Sequence, residues 1–317
     1  MFFFKDQLGN SPRKTLVVAE VGNVHDGSLG NCHAFIDAVA QAGADAVKFQ
    51  CHLECESTAV EQFPARFSFH PQDRSRTAYW RRMSFERHEW MDLSAHAHAR
   101  RLEFIVSPFS TQAVTLCNNL VDRWKVASGE MDNAALLFAI RDTNVPVVLS
   151  TGMAANADEI HRAIGWLSRM QDRLDATQDD SFRRDQITVL QCTTEYPTPL
   201  EHVGLNYVNV WSHNLIVQGG LSDHSGTIWP SIAAAAIGAH MVEVHVCWDK
   251  RQFGCDVSSS VTIDELRKLV EGVRAMNVLW NNPVEKEKLT PALADVAVYR
   301  EGKLRDNVDL YAEFRRD

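Results

Sequence analysis

Short apolar runs rich in β-branched residues alternate along the chain with longer segments whose apolar positions recur at helical spacing. This alternation is typical of repeated strand–helix units around a parallel sheet. Eight such units without a spare strand favour a closed (β/α)8 barrel, an α/β fold, over the alternative of an open doubly wound sheet. The strands are predicted at residues 15–22, 44–50, 103–107, 123–127, 145–150, 186–191, 215–219 and 241–246, and the helices near 29–42, 86–100, 110–120, 133–142, 156–170, 203–210, 229–238 and 262–275.

Three regions interrupt this rhythm. Residues 51–85, rich in aromatic and charged side chains, are predicted as a long loop, and loops of that length usually serve as lids or inserts. Residues 171–185 are polar and form a predicted solvated excursion, while the chain from 281 onward is a predicted surface extension. We therefore expect one catalytic barrel over residues 1–280 and a C-terminal extension over 281–317 that forms no separate domain.

The composition excludes several classes of protein. The chain has 317 residues with 32 basic and 41 acidic side chains, and its net charge of −9 argues against binding of a nucleic-acid backbone. No run approaches the roughly 20 apolar residues of a membrane-spanning helix, and the first apolar run is too short for a signal peptide. We therefore expect a soluble, cytoplasmic protein. Seven scattered cysteines favour reduced, buried thiols over a disulfide framework.

In a (β/α)8 barrel the active site lies at the carboxyl ends of the strands, and these ends are unusually polar here. A strand-end lysine alone usually extends to solvent, and a strand-end glutamate alone usually caps a turn. Many such groups in one cavity are costly to bury unless a ligand or metal compensates them. The polar residues at or just after the predicted strands are Glu20, Lys48, Gln50, Ser107, Lys125, Ser128, Glu130, Ser150, Thr194, Tyr196, Ser222, His224, Glu243 and His245.

Two kinds of chemistry are suggested by these residue types. The two lysines and the serine hydroxyls suit a ligand that carries a phosphate and a carboxylate. His224 and His245 end adjacent strands and could present two imidazoles to one divalent cation, with positions left for substrate oxygen and water. Asp256, in the loop after the eighth strand, could be a further ligand or orient a bound water.

Seven motifs follow one another along the chain at or near the predicted strand ends. They are Ala-Glu-Val-Gly at 19–22, Ala-Gly-Ala-Asp-Ala-Val-Lys-Phe-Gln at 42–50, Ser-Pro-Phe-Ser at 107–110, Lys-Val-Ala-Ser-Gly-Glu at 125–130, Leu-Ser-Thr-Gly-Met at 149–153, Cys-Thr-Thr-Glu-Tyr-Pro-Thr-Pro at 192–199 and Gly-Leu-Ser-Asp-His at 220–224. In this order they resemble the motifs of the sialic acid (N-acetylneuraminate) synthase family, whose members condense phosphoenolpyruvate with an N-acylated amino sugar. The resemblance spans roughly residues 15–275 and concerns the barrel domain only.

The resemblance implies a transferase that makes a 2-keto-3-deoxy sugar acid of the nonulosonic type, a step of carbohydrate biosynthesis. It implies a manganese or magnesium ion on His224 and His245 and catalytic roles for Glu20, Lys48, Lys125 and Glu130, with either glutamate as the base toward water. It also implies a homodimer. The implied phosphoenolpyruvate ligands are Lys48, Gln50, Ser107, Lys125, Ser128, Ser150 and Ser222, and the implied sugar ligands are Glu20, Glu130, Thr194, Tyr196 and Asp256.

Three departures from the family pattern concern the sugar. Val24 stands where the family commonly has asparagine, and Thr194 stands where asparagine often precedes the Tyr-Pro-Thr-Pro stretch. The family's small C-terminal antifreeze-like domain, which reaches into a partner's active site, has no counterpart within the 317 residues. We therefore expect phosphoenolpyruvate and metal binding to be retained, and the acceptor to differ from plain N-acetylmannosamine.

Other functions stay open on the sequence alone. Lys48 or Lys125 could form a Schiff base in a pyruvate aldolase. A synthase for Kdo 8-phosphate or a heptulosonate phosphate would need extra basic residues for the acceptor's phosphate, and no obvious arginine pair stands at the strand ends. A non-catalytic sugar-binding barrel is the third possibility, although it would have no need to keep so many polar groups buried.

Borohydride treatment in the presence of pyruvate distinguishes the aldolase from the synthase. A synthase forms no imine, so we expect mass spectrometry to show the unmodified chain mass after reduction. A stable adduct on Lys48 or Lys125 would instead establish the aldolase.

Overall fold

A computed structural model describes residues 14–53, 73, 75–168, 186–208, 210 and 217–283. Eight parallel strands follow one another in sequence order, and the eighth pairs with the first, so the sheet closes into a barrel. The predicted (β/α)8 fold is therefore confirmed, and the open sheet is excluded. The strands are β1 (Leu16–Gly22), β2 (Ala46–Cys51), β3 (Glu103–Pro108), β4 (Arg123–Val126), β5 (Val147–Ser150), β6 (Ile187–Cys192), β7 (Gln218–Asp223), β8 (Met241–Cys247) and a short β9 (Ser260–Thr262) beside β8.

Helices pack around the outside of the barrel, and most begin with a residue whose side chain caps the first turn. Ser28, Ser110, Asn133 and Asn156 each accept a hydrogen bond from a backbone N–H three residues later. The helices are α1 (Leu29–Ala42), α2 (Arg76–Met83), α3 (Arg87–Ala99), α4 (Thr111–Cys117), α5 (Ala134–Asp142), α6 (Ala157–Leu167), α7 (Trp229–Ala236) and α8 (Ile263–Asn281).

The interior of the barrel is filled in layers, because alternate residues of each strand point inward. The lower layer is apolar and fully buried, and it closes the barrel floor with Val18, Ala46, Ile105, Val148, Leu190 and Met241. Two residues further along the same strands, the inward side chains become polar. This next layer holds Glu20, Lys48, Ser107, Ser150, Cys192 and Glu243.

Three predicted elements differ from the structure, and one short strand was not predicted. The predicted loop 51–85 contains helix α2, whose segment is rich in arginine and buries only Tyr79 and Met83, so its periodicity is weak. Strand β7 continues to Asp223, beyond the predicted end at 219, because the Gly219–Gly220 pair interrupts the apolar run from which the end was predicted. The predicted helix 203–210 contains a 3-10 turn at Leu205–Tyr207, and β9 was not predicted. Residues 171–185 lie outside the described part.

Other expectations have a narrower outcome. Among the described helices, none combines the length and the apolar character that crossing a membrane requires. One compact unit runs from Met1 to Trp280, whereas the predicted extension lies almost wholly outside the described residues and stays a prediction. Cys55 also lies outside them. The free thiols that the structure describes are buried at Cys32, Cys117, Cys192 and Cys247 and partly buried at Cys255.

Helix α2 is held against the turn that follows β1. The Arg82 guanidinium makes ion pairs of 2.5 Å with Asp26 and with Asp73. Gly27 has a φ of +75°, and a Cβ added there would collide with the backbone carbonyl oxygen of Arg82. The contact between turn and helix therefore requires glycine at position 27.

We expect Gly27→Ala to lower the free energy of unfolding by about 1–3 kcal/mol, because the side chain adds backbone strain and separates α2 from the turn. Gly165→Ala is the matched control. Nothing lies within 4 Å of its added Cβ in helix α6, so it should stabilise the protein by about 0.5–1 kcal/mol. Urea unfolding followed by circular dichroism measures both, and equal stability of Gly27→Ala and wild type would disprove the packing argument.

Candidate active site

A cavity of about 250 Å³ opens at the carboxyl ends of the barrel strands. All of the predicted site residues except Glu130 line it, so the structure brings together groups from all eight barrel strands or their following loops. Those that line the cavity are Glu20, Lys48, Gln50, Ser107, Lys125, Ser128, Ser150, Thr194, Tyr196, Ser222, His224, His245 and Asp256.

Glu130 differs from the other predicted residues. It ends the 3-10 turn Ser128–Glu130, is only partly buried, and accepts a hydrogen bond of 2.8 Å from the Asn133 side chain. The neighbouring Ser128 and Gly129 line the cavity, but Glu130 does not. Of the two glutamates that the sequence left open as a base, only Glu20 therefore faces the cavity.

The centre of the site is a group of buried charges around Glu243. The carboxylate of Glu243 lies 2.7 Å from the Lys48 ammonium and 3.7 Å from that of Lys125. The Ser222 hydroxyl donates to the same carboxylate oxygen at 3.0 Å. Glu20 lies on the other side of Lys48, with its Oε2 at 3.4 Å from Lys48 Nζ. One carboxylate thus lies between two lysines.

The two buried glutamates have opposite pKa shifts. Burial alone would raise both, but Lys125 and Lys48 hold the pKa of Glu243 down at about 2. Glu20 has only Lys48 close by, so burial dominates and raises its pKa to about 7, with repulsion from Glu243 adding to the effect. Glu243 is therefore a permanent counter-ion, whereas Glu20 can exchange a proton near neutral pH.

The lysines also differ from each other. Burial would lower the pKa of Lys48, but Glu20 and Glu243 raise it above its ordinary value. For Lys125 burial dominates, and repulsion from Lys48 adds to it, so its pKa falls to about 8 in spite of Glu243. The Lys125 ammonium donates to the Ser150 hydroxyl at 2.7 Å. Together with Ser107 and Ser128, these groups make an anion-binding side of the cavity on β3, β4 and β5.

The two histidines lie side by side at the ends of β7 and β8. Their ring centroids are 5.3 Å apart. His224 Nδ1 donates to the Thr193 carbonyl oxygen at 2.9 Å, which leaves Nε2 facing the Tyr196 hydroxyl at 3.2 Å. His245 Nδ1 is buried without a hydrogen bond, and the nearest carboxylate oxygen is that of Asp256 at 3.9 Å.

Burial, together with repulsion from neighbouring cations, makes His245 hard to protonate. Burial, then His224, then Lys48 lower the pKa of His245 well below its ordinary value. A neutral imidazole is the form that binds a metal ion. No cluster of three or more histidine, cysteine, aspartate or glutamate side chains suited to a metal occurs among the residues described.

Several cavity residues received no role in the sequence analysis. Glu243 was identified as a polar strand-end residue but assigned to no ligand, although it precedes His245 by two positions and so shares its face of β8. Asn23, His52, Trp80 and Phe109 had no such signal, since they stand in loops or in the unpredicted helix α2. The lining residues without a predicted role are Asn23, His52, Trp80, Phe109, Ala127, Gly129, Met153, Cys192, Glu243 and Cys255.

Three polar atoms on the cavity side are buried and make no hydrogen bond within the described residues. They are Asn23 Oδ1, Thr194 Oγ1 and His245 Nδ1. Glu20 Oε2 likewise makes no hydrogen bond and has only its longer contact with Lys48. Buried polar atoms are rarely left unpaired, so their presence in one cavity indicates a polar ligand.

The NeuB family profile matches residues 35–284. The chain belongs to the NeuB family. It is 32% identical to N,N'-diacetyllegionaminic acid synthase of Campylobacter jejuni, over 86% of this chain and 80% of that protein. It is 26% identical to human N-acetylneuraminate-9-phosphate synthase, over 85% of this chain and 72% of that protein. The crystal structure of an N-acetylneuraminic acid synthetase from Leptospira borgpetersenii, in complex with citrate, superposes with a TM-score of 0.73 at 25% identity and covers 94% of this chain and 97% of its own.

The lowered pKa of Lys125 predicts how anion binding changes with pH. Lys125 carries its charge below about pH 8 and loses it as the pH rises through that value. Sulfate stays a dianion throughout, so we expect its affinity, measured by calorimetry, to fall about 10-fold between about pH 7 and about pH 9. Lys125→Arg should keep its charge and remove most of this dependence. An affinity that is constant in the wild type would contradict the assignment.

Proposed function

We propose that this NeuB-family chain condenses phosphoenolpyruvate with an aldose or amino sugar, giving a 2-keto-3-deoxy sugar acid and phosphate. The acceptor belongs to the N-acylmannosamine class and the product to the sialic, or nonulosonic, acids. The observation that carries this proposal is the pair of buried lysines sharing Glu243 at 2.7 and 3.7 Å. Such a pair, ringed with serine hydroxyls, fits a small and highly charged phosphate-and-carboxylate ligand.

Phosphoenolpyruvate would bind on the side of the cavity formed by β2 to β5, with Ser222 of β7 reaching it through the barrel interior. Its phosphate suits the Lys125 ammonium and the hydroxyls of Ser107, Ser128 and Ser150, while Lys48, Gln50 and Ser222 suit its carboxylate. Both lysines are almost fully buried, so their electrostatic effect on a bound anion is much stronger than in water. Binding would also compensate the repulsion between the two ammonium groups.

The acceptor would lie between β1 and the ends of β6, β7 and β8. Glu20, Thr194, Tyr196 and Asp256 line that side. C3 of phosphoenolpyruvate attacks the aldehyde carbon of the open-chain sugar, and the positive charge that develops at C2 is quenched by addition of water there. Glu20, with its pKa near 7, is suited to take the proton of that water. The tetrahedral intermediate then releases phosphate through cleavage of the C–O bond, which leaves the keto group at C2.

The histidines fit the manganese or magnesium ion that the family implies. His245 Nδ1 is buried with no hydrogen bond, and His224 keeps Nε2 toward the cavity side because its Nδ1 is held by Thr193. When bound, the ion would polarise the aldehyde oxygen of the acceptor. Homodimer formation, a cytoplasmic location and the division at residue 280 stay parts of this proposal.

A second candidate is a Schiff-base aldolase, and one observation favours it. The pKa of Lys125 is lowered to about 8 by burial, and a lysine must be neutral to attack a carbonyl. The hydrogen bond from Lys125 to Ser150 and its neighbours Ser107 and Ser128 suit anion binding equally well. The borohydride experiment separates the two.

Two measurements test the proposed reaction. Phosphate release from phosphoenolpyruvate is followed across a panel containing N-acetylmannosamine, mannose and a 2,4-diacetamido-trideoxy aldose, with manganese or magnesium present. We expect acceptor-dependent release, with an aldose other than N-acetylmannosamine as the best substrate. N-acetylmannosamine as the best substrate would overturn the acceptor prediction, and release without any acceptor requirement would overturn the reaction.

Isotope labelling and a matched pair of variants complete the test. Phosphoenolpyruvate labelled with 18O at its bridging position should pass the label to phosphate, because the C–O bond breaks. Lys125→Met should lower kcat/KM by at least about 1,000-fold, whereas Lys268→Met, at an exposed position of α8, should leave it unchanged. Label retained in the keto acid would contradict C–O cleavage.

A further inference from the structure

We infer that Asn23 selects the acceptor sugar, by accepting a hydrogen bond from an O–H or N–H group of that sugar through its side-chain carbonyl oxygen. The inference rests on the proposed function and extends it to a residue that no strand-end pattern pointed to. Asn23 follows β1, lines the cavity and is only 5% exposed. Its Oδ1 is buried and has no hydrogen-bond partner in the described part of the chain.

The orientation of the Asn23 amide follows from Glu20. Gln50 lies 2.8 Å from Glu20 Oε1, and the ionised Glu20 carboxylate, the form that acts as a base, only accepts hydrogen bonds, so Gln50 presents Nε2 to it. The other end of the same amide, Gln50 Oε1, therefore points toward Asn23 and accepts from Asn23 Nδ2 at 3.2 Å. With its nitrogen used in this way, Asn23 is left with a carbonyl oxygen for the cavity.

A hydrogen bond from His52 supports the same orientation of the Gln50 amide. Its Nε2 lies 3.0 Å from Gln50 Oε1, so the ring donates there in the tautomer that protonates Nε2. The ring is stacked between Trp80 and Phe109, with centroid distances of 3.7 and 3.9 Å. Gln50 Oε1 thus accepts from two donors, and flipping its amide would place an N–H group against both of them. The direction of every hydrogen bond from Glu20 to Asn23 is fixed before the ligand arrives.

The chemistry of the two substrates decides which of them meets Asn23. Ionised phosphoenolpyruvate has carboxylate and phosphate oxygens but no O–H or N–H group, so it cannot donate to Asn23 Oδ1. A sugar or an amino sugar has several donors. The position agrees, because β1 pairs with β8, which carries His245, and lies across the barrel from the Lys125 and Ser150 side.

The neighbouring residue clarifies the sequence pattern. Val24, which stands where the family commonly has asparagine, is 3% exposed and packs in the hydrophobic core. It does not line the cavity. Position 23 is the one that faces the ligand, so the departure at Val24 bears on packing and the polar contact with the sugar comes from Asn23.

Steady-state kinetics of two variants test the inference. Asn23→Leu keeps the branched shape of the side chain, with somewhat greater bulk and no polar atoms, and Asn23→Ala removes the side chain beyond Cβ. In both we expect the KM of the acceptor to rise about 10- to 100-fold, since one buried hydrogen bond is lost. The KM of phosphoenolpyruvate should stay within about 2-fold, because Gln50 keeps its hydrogen bonds to Glu20 and His52 when Asn23 is replaced, whereas a general disturbance of the site would raise both KM values.

Acceptor analogues identify the donor. The aldose that is turned over best in the panel is compared with analogues that each lack one hydroxyl or one amide N–H. For one of the analogues, the kcat/KM of the wild-type enzyme should be about 10- to 100-fold lower than for the full acceptor. Asn23→Leu should have nearly the same kcat/KM for that analogue as for the full acceptor, because the hydrogen bond is already absent in the variant. Independent, additive losses for every analogue would overturn the inference.

The failures of the two proposals are distinguishable. Absence of acceptor-dependent phosphate release by the wild type removes the proposed function. Turnover by the wild type with an unchanged acceptor KM in Asn23→Leu and Asn23→Ala overturns the role of Asn23 alone. Sulfate affinity and thermal unfolding show that each variant is folded. If both apolar variants fail to fold, the acceptor analogues decide on the wild type alone, and the absence of any single analogue that loses about 10-fold in kcat/KM would overturn the role.

Discussion

The site depends on the burial of two lysine ammonium groups at the carboxyl ends of the barrel strands. Lys48 and Lys125 are both almost fully buried, and Glu243, between them, is the carboxylate that both contact. Two desolvated ammonium groups would each cost several kcal/mol without it. Even with Glu243 present the compensation is incomplete, as the lowered pKa of Lys125 shows. The residual positive potential at the two ammonium groups favours an anion at this position.

The barrel can accommodate these charges because its apolar layer stabilises the fold and its polar layer does not have to. The apolar layer of Val18, Ala46, Ile105, Val148, Leu190 and Met241 closes the floor and contributes stability. The next inward positions are then freed for chemistry, and the strand period of two brings them to the same height. Strands β3 to β5 provide hydroxyls and a cation, whereas β1, β7 and β8 provide carboxylates, imidazoles and unpaired acceptors. The two halves suit two different substrates, one that only accepts hydrogen bonds and one that donates them.

The same layering explains how much was predictable from the sequence. The ends of apolar strands are informative, because all of them meet at one end of a closed barrel. The sequence therefore predicted that Lys48, Ser150, His224 and His245 line a common cavity, as they do in the structure. Glu130 was misplaced because a 3-10 turn, not a strand, sets its direction. Helix α2 was read as loop because its few buried residues give almost no periodicity. Asn23 and His52 were missed because a loop side chain takes its direction from tertiary hydrogen bonds, which no local pattern records.

Most cavity residues that the sequence did not predict cluster at the rim. The lysines and serines of the polar layer stand on strands or at their ends, while Asn23, His52, Trp80 and Phe109 lie on loops and on α2 at the rim of the cavity. The named relatives are synthases of different sugar acids, N,N'-diacetyllegionaminic acid and N-acetylneuraminate 9-phosphate. A rim built from loops can change its hydrogen-bonding groups without disturbing the charge balance below it. A substitution at the rim therefore costs little folding stability, whereas a substitution of Glu243 or of either lysine would leave a buried charge unpaired.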